Sequence, residues 1–240
     1  MDFSFLLGAF LRLLPGVPLT LQLMSISVAL GMVIALILAL LRLSGLRLLE
    51  WAARAYIFVF RSTPLLVQIF LIYYGLSQFP TLRYSMLWPI LRQPYWCAII
   101  ALALNTAAYG SEIIRGGLQS VPEGQIEAGR ACGMSRFTVF RRIVLPLAIR
   151  QALPAYGNEI ILMVKATALA SVITMMEITG LAAKLISETY RAVEVFVVAG
   201  SIYLIINYLI TRAIQLLEHW LTPHLRSIPA PVVIQREDAV

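Results

Sequence analysis

With 240 residues, 60% of them hydrophobic and only 13% charged, and a mean hydropathy of +0.84, this chain is excluded from the soluble domains. Its formal charge of +7 could suit nucleic acid, but the arginines gather between apolar stretches, where they orient a membrane protein, so no nucleic-acid partner is expected. Cys97 and Cys132 are too few and too far apart for a disulfide framework, and neither stands in a metal-ligand pattern.

In chain order, residues 3–14 are apolar but too short to span, and lack the cationic start of a signal peptide; an interfacial helix ending at Pro15-Gly16 is expected. Five spans follow, roughly at 17–41, 51–76, 95–114, 147–175 and 195–214. The second contains Arg61 and Pro64. The stretch with Pro80, Pro89 and Pro94 is too broken by proline for a further span, and residues 227–240 read as a polar, loose tail after one membrane domain over 1–226. The fold expected is an all-α polytopic membrane protein with about five transmembrane helices. Counting Lys and Arg, an outer N-terminus puts twelve on the inner side, among them the six arginines from Arg115 to Arg150, and five on the outer. The positive-inside rule therefore places the N-terminus outside, the C-terminus inside and the segment 120–146 in the cytoplasm.

That segment is a charged island in an apolar chain. Ser120 and Glu123 have capping-box spacing, Pro122 is tolerated in a first turn, and Gly133 suits the left-handed position after a helix end. Ala128, Ala131 and Cys132 share one face, small enough for close approach. Gly116 and Gly117, before it, are read as a turn out of the third span.

Ionisable groups inside spans cost at least ~2.5–3.5 kcal/mol at the bilayer centre and are functional candidates by default. Three lie well inside: Arg61, Glu159 and Lys165. Glu112 and Arg115 can pair at i, i+3. Glu159 and Lys165 fall on different faces of one helix, whereas Asn158 and Lys165 share a face and Arg61 and Gln68 line one side of the second span. Pro64 frees backbone carbonyls between the last two. The second and fourth spans should face each other or a polar cavity. For each charged residue, a substrate role and a helix-holding ion pair such as Arg61–Glu159 both stay open.

Glu127-Ala128-Gly129, three residues, Gly133, nine residues, then Ile143-x-Leu145-Pro146 resembles the E-A-A-x3-G-x9-I-x-L-P loop of membrane subunits of bacterial ABC importers, with Gly129 in place of the second alanine. Arg61-Ser62-Thr63-Pro64-Leu65-Leu66-Val67-Gln68 resembles the R-G-T-P-L-L-V-Q segment of polar amino acid permeases, and Asn105-Thr106-Ala107-Ala108-Tyr109 and Pro154-Ala155-Tyr156-Gly157-Asn158-Glu159 match the same group. Within it the chain is most similar to the histidine/lysine/arginine/ornithine and octopine/nopaline subunits.

The resemblance implies a type I ABC importer fold, location in the bacterial inner membrane and alternating access. It implies two copies of an ABC ATPase, a second and similar permease chain (a heterodimer rather than a homodimer) and a periplasmic solute-binding protein. It also implies that 120–146 is a coupling loop, with Glu127 as polar anchor and Ala128, Gly129 and Gly133 as close-contact surface. Thr63 and the backbone near Pro64 would meet the substrate's main-chain part, Asn158 and Glu159 its polar groups, with Arg61, Gln68 and Lys165 on the same pathway. The loop 177–194 would touch the receptor protein.

Neither lysine, Lys165 nor Lys184, stands in a phosphate-cradling G-x4-G-K-[ST] loop, so ATP and Mg belong to the partner ATPase, with no cofactor or metal on this chain and no enzyme activity. An intramembrane enzyme would need a nucleophile–base pair, a carboxylate pair or metal ligands at membrane depth. A carrier acting alone would use Glu159 as a proton site and work without an ATPase.

Overall fold

The structure is a computed structural model that describes residues 2–221. The expected tail at 227–240 lies outside them, as do Arg226 and Arg236, which entered the charge count. Among the described residues there is no strand. Asp2 caps the first helix, α1 (Phe3–Leu13), accepting from the Ser4 N–H at 3.1 Å. α2 (Gly16–Arg42), α7 (Pro94–Gln119), α9 (Arg136–Ile173) and α11 (Ala192–Leu221) are each long and apolar enough to cross a membrane.

The second expected span is not one rod. α3 (Arg47–Ser62) and α4 (Leu65–Gln78) are bent by 105° at a short break. Pro64 is the cause: it carries no N–H, and the residue before it, Thr63, is extended at φ −108°, ψ 142°. Arg61 and Gln68 therefore do not line one side of a helix. Two short turns, α5 (Pro80–Arg83) and α6 (Trp88–Leu91), fill the proline-rich stretch as read from sequence.

α7 is the core of the bundle. Cys97, Ala98, Ala101, Leu102, Ala107 and Ala108 are all fully buried, and α2 packs along it most extensively. Small residues make that approach possible. A Cβ on Gly31 of α2 would lie 2.0 Å from Thr106 Cγ2 of α7, and one on Gly110 of α7 would lie 3.2 Å from Ala35 Cβ. Gly117 serves the same end toward α9, where a Cβ would meet Ala148 O at 2.8 Å. The expected turn at Gly116-Gly117 does not form: α7 continues to Gln119, with Gly117 at a close helix crossing and open space beside Gly116.

α8 (Glu123–Ala131) starts at Pro122 without a side-chain cap. The capping box read from Ser120 and Glu123 does not form, because the Ser120 hydroxyl donates to Gly117 O at 2.8 Å and closes α7 instead. α8 does stop where expected: Gly133 takes φ +78°, and the Met134 N–H bonds back to Gly129 O at 3.1 Å. α9 includes one π turn, Phe140–Val144, and tightens to a 3-10 helix over Thr167–Ile173.

The loop after α9 holds α10 (Ile178–Thr189), a helix that the sequence reading of 177–194 does not include. Glu177 is fully buried there and caps α10, accepting from the Gly180 N–H at 2.8 Å, the Thr179 N–H at 2.9 Å and the Tyr203 hydroxyl at 2.6 Å. Burial lifts its carboxyl above the usual carboxylate range although all three donors pull the other way. A side chain so enclosed cannot serve the receptor contact expected of this loop, since the cap needs it inside.

Candidate functional site in the membrane domain

Two regions carry the candidate residues. The first is the break between α3 and α4. Phe60 O has lost the donor that residue 64 would supply in a continuous helix. Gln68 Nε2 replaces it at 2.9 Å and also donates to Thr63 O at 3.1 Å and Thr63 Oγ1 at 2.8 Å. The Thr63 hydroxyl in turn donates to Val59 O at 2.8 Å. Asn105 Nδ2 donates to Gln68 Oε1 at 3.0 Å, joining the break to α7. The freed carbonyls expected near Pro64 are present, but Gln68 and Asn105 meet them, so Thr63, Pro64 and Gln68 form a polar clasp at the bend.

The second region lies between α3, α7 and α9. A cavity of about 400 Å³ is lined by Arg61, Tyr109, Glu112, Asn158, Glu159 and Leu162, among others. It adjoins one of about 490 Å³ that shares Arg61, Tyr109 and Glu112. The second and fourth expected spans thus face a common polar space. Glu159 is buried and accepts from Thr106 Oγ1 at 2.8 Å. The Arg61 guanidinium lies over the Tyr109 ring, 5.1 Å from its centroid. Among the described residues the ion pairs within 4 Å are Arg12–Glu188, Arg42–Glu112, Arg54–Glu50 and Arg115–Glu112. An Arg61–Glu159 pair is not among them, so these two charges face one space without neutralising each other directly. Glu112 does bind Arg115, and also Arg42 at 2.7 Å, a partner not evident from spacing because it comes from α2.

Lys165 is apart from this group. It lines a different cavity, of about 500 Å³, with Tyr203 and Asn207 of α11. Sequence reading put Asn158 and Lys165 on one face, but they open onto separate spaces. Residues that reading assigned no part are Thr106 and Tyr109, whose signal was a polar run inside an otherwise apolar helix, and Asn105.

On the loop, Glu127, Ala128, Ala131 and Cys132 are exposed, so the small face read from their spacing points outward. Gly133 is exposed as well. Gly129 is buried: a Cβ there would lie 2.8 Å from Ile143 Cδ1 and 3.3 Å from Val139 Cγ2. Its small size seats α8 on the start of α9, so it does not belong to the outer surface expected of it.

Among the described residues no three His, Cys, Asp or Glu side chains gather as metal ligands. Residues 27–223 match the family described as binding-protein-dependent transport system inner membrane component. The chain belongs to that family. It is 64% identical over 226 residues to the octopine transport system permease protein OccM of Rhizobium radiobacter, covering 94% of this chain and 92% of that one. It is 57% identical over 228 residues to the nopaline transport system permease protein NocM of Agrobacterium fabrum, covering 95% of each. A crystal structure of an amino acid ABC transporter with histidines superposes with a TM-score of 0.81 at 36% identity, covering 91% of this chain and 98% of that one. The type I importer fold and the reading as a membrane permease subunit of an ABC transporter therefore hold, and this component is a transport subunit rather than an enzyme.

Proposed function

We propose that this permease carries opines or polar, basic amino acids across the bacterial inner membrane by alternating access. In this reading a separate ATPase drives it through residues 120–146. The observation that carries the proposal is the loop's geometry on a chain of this family: α8 shows Glu127, Ala128 and Ala131 outward, while Gly129 locks it onto the rod that runs to Glu159. Two ATPase copies bind ATP and Mg, a second and similar permease completes the pathway, and a solute-binding protein delivers substrate. The N-terminus is periplasmic and the C-terminus cytoplasmic, consistent with the excess of arginines around the loop. Residues 1–226 act as one membrane domain. Arg61, Asn158 and Glu159 contact substrate in their shared cavity, where an ammonium or guanidinium finds Glu159 and a carboxylate finds Arg61. Thr63, Pro64 and Gln68 shape the adjoining bend, and Lys165 acts from its separate cavity.

Glu127→Lys in the assembled transporter tests the coupling. The expected result is loss of substrate-stimulated ATP hydrolysis and of uptake in vesicles, with the complex still purifying intact. Unchanged uptake would overturn it.

A further inference from the structure

A cavity of about 500 Å³ opens between α2, α7 and α9, apart from the polar spaces above. Its lining combines small residues, Ala39, Ala148 and Ala152, with larger ones such as Leu36, Leu118 and Leu153. Almost none of its surface is polar. Along α2 it runs from Met32 to Leu40, eight residues or about 12 Å, close to the ~15 Å depth of one leaflet of hydrocarbon. A groove of that length and polarity is filled by an acyl chain at no cost in hydrogen bonds.

The end of the groove decides what kind of chain. Phe140 and Leu145 line it there, at the two ends of the π turn, where the Leu145 N–H bonds to Phe140 O. Arg141 and Arg142 lie inside that turn, in the chain between the two lining residues Phe140 and Leu145. Both arginines are exposed and neither has an ion-pair partner among the described residues. Arg42 and Arg115, also near this end, are both held by Glu112. Two unneutralised guanidiniums at the mouth of an apolar slot match one anionic group joined to a long apolar tail. An apolar helix of another subunit would fill the slot but leave both arginines unmatched.

We propose that this groove binds an anionic phospholipid of the inner leaflet, with its acyl chain over Ala148 and Ala152 and its phosphate at Arg141 and Arg142. The proposal does not depend on which solute is carried. In the test, the full-length chain in its transporter complex is equilibrated with equal amounts of phosphatidylglycerol and phosphatidylcholine of identical acyl chains, and retained lipids are counted by native mass spectrometry. Phosphatidylglycerol should be retained over phosphatidylcholine. R141Q/R142Q should lower that preference about thirtyfold, since each basic residue contributes about 1 kcal/mol toward an anionic lipid. Phe140→Trp should be quenched more by brominated-chain phosphatidylglycerol than by brominated phosphatidylcholine. Equal retention of the two lipids, or a preference untouched by the double variant, overturns the proposal. So does a cross-link from Leu36→Cys to the second permease chain of the complex, which would show that chain seated in the groove.

Discussion

The crossing of α2 over α7 offers the sharpest perturbation, because packing and the candidate site meet in one side chain. Replacing Gly31 by alanine sets a Cβ 2.0 Å from Thr106 Cγ2 and 3.0 Å from Ala103 O. Overpacking of this kind costs about 1–3 kcal/mol, and alanine returns up to ~1 kcal/mol of helix propensity. Thr106 can yield only by turning, and turning removes the hydroxyl that donates to Glu159 at 2.8 Å. Hydrogen bonds to charged groups are worth roughly 1.5–3 kcal/mol. The net loss expected for Gly31→Ala is about 2–4 kcal/mol, with uptake falling alongside the thermal midpoint of the purified complex. Thr106→Ser in the same chain removes the clashing methyl and keeps the hydroxyl, so the double variant should recover most of both readouts. A neutral Gly31→Ala, or a double variant no better than the single one, would refute the reasoning.

Gln68→Leu should destabilise the protein by about 1–3 kcal/mol, read as a lower thermal midpoint, because Phe60 O keeps only the long 3.4 Å contact from Asn105 and Asn105 loses its acceptor. Gln68→Asn, too short to reach across the break, should behave alike. At Glu177 the folded-state pKa is raised by burial, so its contribution to stability is full below its usual 4.5 and is lost as pH rises through the shifted value. The thermal midpoint should fall over that window, and Glu177→Gln, which titrates nothing, should flatten the fall.

The spans were legible because hydrocarbon leaves little choice: a 27-residue apolar run such as Gly16–Arg42 has to be a helix across the bilayer. Gly133 was legible for a local reason, as a left-handed residue at a helix end favours glycine. What resisted was anything decided by a partner distant in sequence. Arg42 meets Glu112 from seventy residues away, and Glu177 looks like any loop carboxylate until Tyr203 closes over it. Pro64 announced a weakness in the second span but not a 105° bend, since the angle depends on where Gln68 and Asn105 find the loose carbonyls. Gly129 shows the same limit: its small volume was evident, and the direction it faces was not.

The bend and the loop acquire a common logic when the helices are compared. α9 is a single run of 38 residues, so Phe140, where the loop joins it, and Glu159, in the polar cavity, belong to one rod about 29 Å apart along its axis. Opposite Glu159 the cavity wall is built by α3, whose C-terminal end is cut at Pro64 and tied by the Gln68 clasp, with the Tyr56 hydroxyl donating to Leu104 O of α7 at 2.8 Å. A push on the loop would displace Glu159 with its rod, while Arg61 is carried by a helix that ends one residue later, at Ser62. The 2.8 Å bond from Thr106 then reports whether α9 has moved against α7, because it crosses between them. In the proposed mechanism a stiff element bearing a carboxylate thus slides past a broken element bearing a guanidinium. This arrangement can change the spacing of two charges without unfolding either helix.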